Sequence, residues 1–150
     1  MERNLRSRVL GTNAPDWTIL IRVMVGAVFL SEGLQKFLFA AERGAGRFAR
    51  IGLPLPDVLG PFVGSFEIAC GALVLLGLAT RLAAIPLITI MLVAIASTKL
   101  PILGDRGFWV MAHEARTDWS MLLGSAYLLI VGAGAWSLDR RLSGPSAPPR

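Results

Sequence analysis

Apolar residues in this chain do not alternate with polar ones. They run in four nearly unbroken stretches, Trp17–Ala41, Pro61–Ala79, Leu82–Leu100 and Trp119–Trp136. A hydrocarbon core ~30 Å thick is crossed by roughly 20 mostly apolar residues in helical form, and each stretch comes close to that length. Within lipid, only helices and closed barrels satisfy every backbone polar group. The pattern therefore predicts an all-α fold, an integral membrane antiparallel four-helix bundle. Its spans are expected at 17–41, 61–79, 82–100 and 118–136, inside one domain over 17–142. A basic segment (1–16) precedes that domain. A Ser/Gly/Pro-rich tail (143–150) follows, with the composition of a disordered segment.

Local signals place the ends of these elements. Asp16 and Trp17 mark a helix start and an interface anchor. The link Glu42–Gly60 is broken by Gly and Pro, and Pro61 suits a first helical position. Thr80 and Arg81 form a tight hairpin, which forces the second and third helices to be antiparallel neighbours. Pro86 predicts a modest kink one turn into the third helix. A second link is expected over Pro101–Thr117, with Phe108 and Trp109 at the interface. Thr117 or Asp118 is the expected cap of the fourth helix.

Composition strengthens the membrane reading. Hydrophobic residues make up 54% of 150 and charged ones only 17%, against roughly 25% charged in soluble domains. The net charge is +5. Because the arginines cluster at segment ends, that charge suits anionic headgroups and orientation rather than nucleic acid, which is rejected as a partner. With the N-terminus cytoplasmic, that side carries Arg3, Arg6, Arg8, Arg81, Arg140, Arg141 and Arg150. The other side carries Arg43, Arg47, Arg50, Arg106 and Arg116. This bias favours cytoplasmic N- and C-termini. A cleavable signal peptide is not expected, since the first apolar stretch is too long and contains Glu32 and Lys36. Cys70 is the only cysteine, so no dithiol relay exists within the chain, and His113 is the only histidine. No metal-ligating motif stands out.

Ionisable groups within membrane spans are costly unless paired or hydrated, which makes them candidates for function. Arg22, Gly26, Phe29, Gly33 and Lys36 recur at helical spacing on one face. Glu32 precedes Lys36 by four residues, the favourable order for an ion pair. Gly60, Gly64, Glu67 and Gly71 share a face of the second helix, whose glycines admit a neighbouring backbone and turn Glu67 inward. In an up-down bundle Glu32, Lys36, Glu67, Lys99 and Asp118 all fall toward the same side of the membrane, with His113 and Glu114 in the adjoining link. Arg22 sits toward the opposite end. The candidate catalytic residues are Glu67, Lys36 and Glu32. Arg22, Gly33, Lys99 and Asp118 are the candidate ligand contacts. The competing reading makes the pairs structural, Lys99 a snorkelling anchor, Asp118 a cap and Gly33 a packing residue.

With these residues in place, the chain resembles the DoxX/DoxD family of bacterial membrane proteins. The resemblance rests on Arg22-x3-Gly26-x2-Phe29-x3-Gly33-x2-Lys36, the RFARIGLPLP link and Glu67-x3-Gly71. It also rests on GLATRLAAIPL and on the closing GAGAWSLDRRL with its Ser137-Leu138-Asp139. It implies a multi-pass protein of the bacterial inner membrane. Some relatives are the small subunit of a thiosulfate:quinone oxidoreductase, and others belong to oxidative-stress complexes with soluble redox partners.

Three functions are then open. The chain is a membrane subunit of a quinone-linked oxidoreductase, not catalytic alone, with quinone or quinol bound non-covalently. Glu67 and Glu32 would exchange protons there and Lys36 would stabilise developing negative charge. Alternatively it is a non-enzymatic scaffold for a soluble redox partner, with the charges fixing helix register. A solute or proton pathway is the third reading, opposed by the uncharged fourth stretch. The expected partners are the lipid bilayer and either a second subunit or another copy of this chain.

Overall fold

The computed structural model describes residues 14–143, all of whose regular elements are helical. The basic segment expected over 1–16 and the tail expected over 143–150 lie, but for their inner ends, outside the described residues. Helix α1 (Thr18–Leu38), α2 (Ala45–Arg50), α3 (Pro56–Leu76) and α4 (Thr80–Ala94) follow in order. A π-helical turn (Ile95–Lys99) then leads into α5 (Leu100–Arg106), α6 (Phe108–Glu114), α7 (Arg116–Val131) and α8 (Leu138–Ser143). Among the described residues, three helical runs are long and apolar enough to cross a membrane: Thr18–Leu38, Pro56–Leu76 and the continuous Thr80–Arg106.

The boundaries differ from the expected ones for identifiable reasons. Helix α3 begins at Pro56, not Pro61. Both prolines have the φ of a helix, but Pro56 follows Leu55, whose left-handed backbone (φ 46°) turns the chain into the axis. Pro61 is then carried inside the helix. Glu67 becomes the twelfth of its 21 residues, near mid-helix rather than early. Helix α3 stops at Gly77 (φ 66°) in a Schellman arrangement, Leu78 N–H to Leu73 O at 2.9 Å and Gly77 N–H to Val74 O at 3.1 Å.

The link expected over Pro101–Thr117 is mostly helical. Pro101 has no N–H and its ring would collide with the carbonyl four residues back. The π-turn ahead of it absorbs that conflict: Leu100 N–H reaches Ile95 O, five residues back, and the helix resumes. Gly107 (φ 83°) breaks it before α6. Helix α7 starts earlier than the fourth stretch and ends at Val131, because Gly132 (φ 86°) and Gly134 (φ 84°) leave helical space. At 16 residues, α7 is shorter than the three spans.

Helices α1 and α3 pack most extensively, and α4 packs on α7; α3 also touches α4, and α1 touches α7. The first contact is backbone to backbone. A Cβ on Gly33 would lie 2.7 Å from Gly64 O, and one on Gly71 would lie 2.7 Å from Leu30 N. Small residues give this approach in place of a hydrophobic driving force, which lipid does not supply. Val25, Phe29, Val74, Leu87, Met121 and Leu128 fill the shared centre. Leu20, Val23, Leu34, Leu82, Leu92 and Ile130 face outward, as lipid-facing positions of a membrane protein do.

One end of this assembly is clasped. Arg22, 3% exposed, donates to Val74 O (3.0 Å) and Leu75 O (2.6 Å) in the last turn of α3. It also donates to Ala133 O (3.3 Å) and Trp136 O (2.5 Å) beyond α7. The Asp139 carboxylate accepts from Ala79 N–H (2.7 Å) and Thr80 N–H (3.0 Å), and so caps α4 from a distant part of the chain. Thr18 and Tyr127 share a hydroxyl contact of 3.2 Å.

Candidate functional site

Away from the clasp the two helix pairs enclose a cavity of about 530 Å³. Volumes of 300–1,000 Å³ are typical of sites for small ligands. Glu32 and Lys36 reach it from α1, Glu67 from α3, Lys99 from the π-turn and Asp118 from α7. Five of the seven residues singled out from sequence thus line one space. Phe29, Phe48, Val63, Ile90 and Met121 supply part of its apolar wall.

The charges are paired within each helix pair. Lys36 Nζ lies 2.6 Å from Glu67 Oε2, tying α1 to α3. Lys99 Nζ lies 3.4 Å from Asp118 Oδ2, tying the end of α4 to α7. Glu67 is 2% exposed, and its Oε2 is a buried acceptor with no hydrogen bond of good alignment. The Lys36 contact is a close ion pair, and a carboxylate oxygen so engaged keeps a second lone pair with which to accept. No ion pair joins Glu32 to Lys36. The Lys36 Cβ lies level with Gly64, and helical side chains lean toward the N-terminus of their helix, so the ammonium reaches back to Glu67.

Lys99 owes its place to the π-turn. It follows Met91, another lining residue, by eight positions. An unbroken α-helix would rotate it ~80° from Met91 at 3.6 residues per turn. One extra residue in the turn takes back about 100°, which returns it to the cavity side.

Gly33 and Arg22 are placed differently. Gly33 is filled up to its Cα by the α3 backbone. Arg22 is at the clasp, with donors turned to four carbonyls. His113 and Glu114 are exposed on α6.

Other residues enter that sequence reasoning gave no such part. Arg43 and Arg47, counted there as orientation signals, stand at the cavity rim. Asp139 appeared only as part of a closing signature, and nothing local reveals that it caps α4. Thr89, Ser97 and Thr98 also line the space; their hydroxyls donate one turn back, to Ile85 O (3.1 Å), Val93 O (2.8 Å) and Ala94 O (2.6 Å). Hydroxyls on an apolar helix satisfied in this way carry no distinctive sequence signal.

These features define a small helical membrane protein with a charged cavity between paired helices. The DoxX family matches residues 17–100, and the chain belongs to that family. It is 54% identical over 142 residues to a Mycobacterium tuberculosis (strain ATCC 25618 / H37Rv) protein named "Uncharacterized membrane protein Rv3486", covering 91% of this chain and 87% of that one. It is 32% identical over 124 residues to a Bacillus subtilis (strain 168) protein named "Putative oxidoreductase CatD", covering 81% of this chain and 84% of that one. No solved structure matches the chain.

Proposed function

We propose that this protein is a four-span inner-membrane subunit of a quinone-linked oxidoreductase, with both termini cytoplasmic and a second protein as electron donor. The observation that carries this reading is the Lys36–Glu67 pair, 2.6 Å apart and buried against a largely apolar cavity that also holds Lys99 and Asp118. The oxidoreductase name of the Bacillus relative agrees with it.

The residues fit a quinone head. Lys36 and Lys99 carry N–H donors for its oxygens, Glu67 Oε2 has spare accepting capacity, and Phe29, Phe48 and Met121 offer apolar surface to a ring. Bound there, a quinone supplies two-electron carrier chemistry that also takes up protons. The Glu67 carboxylate relays protons to the bound head, and Glu32 passes protons between Glu67 and the rim. The Lys36 ammonium favours negative charge beside it, an effect enlarged where water is excluded. Asp118 does at the second pair what Glu67 does at the first.

Purification in mild detergent with mass spectrometry of co-purifying molecules tests the proposal. Quinone is expected in the native protein, with turnover lost in Glu67→Gln while assembly is kept, since the amide preserves volume. Absence of quinone, together with unchanged partner activity in Glu67→Gln, would make the chain a scaffold for its partner instead.

A further inference from the structure

The cavity has two kinds of wall. On the α1–α7 side the lining away from the rim is covered: Phe29 and Met121 are buried and Val28 is half-buried, while the exposed Thr117 stands in the first turn of α7. On the α3–α4 side Phe62 is 56% exposed and Val93 50% exposed, and Thr89 is exposed as well, although all three line the same space. A residue that both lines a cavity and faces outward marks an opening.

The height of that opening follows from the hairpin joining the two helices. Phe62 lies 15 residues before Gly77 and Val93 lies 13 after Thr80, so at 1.5 Å per residue both stand ~20 Å from the hairpin. Glu67 stands ~15 Å from it by the same rise. With the hairpin at one face of a core ~30 Å thick, these positions fall at the depth of the acyl chains. The rim, where Arg43 and Arg47 are exposed, is the polar end of the same space.

We propose that the cavity opens sideways into the bilayer between α3 and α4, and that its occupant is a quinone with a long hydrocarbon tail. Resting on the quinone reading above, this names the ligand's second half. The head lies between the Lys36–Glu67 and Lys99–Asp118 pairs, and the tail leaves past Phe62 and Val93. A short, water-soluble quinone would use the rim and gain nothing from the lateral gap.

Photolabelling of the protein in lipid nanodiscs distinguishes the parts. Two azido-benzoquinone probes are compared, one with a decyl chain and one with a methyl group. Val93→Trp and Thr89→Trp put a large ring at the opening while leaving the four paired charges in place. The expected result is a decyl-probe yield lowered about tenfold, the equivalent of ~1.4 kcal/mol, with methyl-probe labelling unchanged. Unchanged labelling by both probes, or equal losses of both in both variants, would overturn the portal but not the quinone site. Failure of both probes to label the native protein would overturn both readings. A phospholipid retained in the cavity by native mass spectrometry would overturn the tailed-quinone assignment.

Discussion

Replacing the Lys36–Glu67 pair by apolar side chains gives a quantitative test of how it acts. At 2.6 Å and an effective dielectric of ~20, the attraction is about 6 kcal/mol. Taking two ions out of water costs several kcal/mol each. The two terms nearly cancel, so the pair adds little net stability, whereas half of it is harmful. Lys36→Met leaves a carboxylate that is 2% exposed without its counter-ion and is expected to lose about 3–5 kcal/mol. Glu67→Met strands an ammonium whose flexible stem is able to swing from Glu67 toward the rim, so its loss falls at or below the low end of that range. The double variant is expected to match the native protein or exceed it by ~1–4 kcal/mol, as buried pairs replaced by hydrophobes do. It should nevertheless bind no quinone. Unfolding monitored by circular dichroism across a series of denaturing-detergent fractions gives the three stabilities, and photolabelling gives the binding. Single losses that add within ~0.5 kcal/mol would mean that the two charges do not interact. Quinone labelling retained in the double variant would remove the pair from the site.

Two further substitutions probe the frame around the cavity. Gly33→Ala puts a methyl group 2.7 Å from Gly64 O; it should force α1 from α3, cost ~1–3 kcal/mol and weaken quinone labelling through the displaced Lys36. Gly104→Ala meets nothing within 4 Å and should be neutral or stabilising by up to ~1 kcal/mol, and the same detergent series compares the two. Asp139→Asn keeps only one acceptor oxygen for the Ala79 and Thr80 amides, so a loss of ~1–3 kcal/mol is expected, with faster hydrogen exchange at those two amides.

Hydrophobic run lengths carried the membrane class, and helical spacing carried the inward face of α1, because both depend on neighbours in sequence. The same locality misled the pairing of Lys36. Glu32 is the sequence neighbour one turn away, yet Glu67 is the partner, because the glycines bring α3 within reach of Lys36. The start of α3 was missed for a related reason. Two prolines five residues apart both suit a helix start, and only the left-handed Leu55 (φ 46°) selects Pro56. That shift carries Glu67 from the early part of the helix to its middle, where no snorkelling relieves its charge. The position of Lys99 was legible only as a helix end, since the π-turn that aims it answers to Pro101, two residues beyond.

Sequence alone settled that the chain is helical and belongs in lipid, for apolar length and backbone hydrogen bonding leave little alternative. It also grouped five of the charged candidates toward one side, since antiparallel helices reverse depth in a predictable order. Tertiary structure decided which charge meets which, where the helix pairs part to leave a cavity, and that Arg22 and Asp139 close the other end. Those outcomes depend on contacts between residues 19 to more than 100 positions apart, a range at which local propensity has no influence.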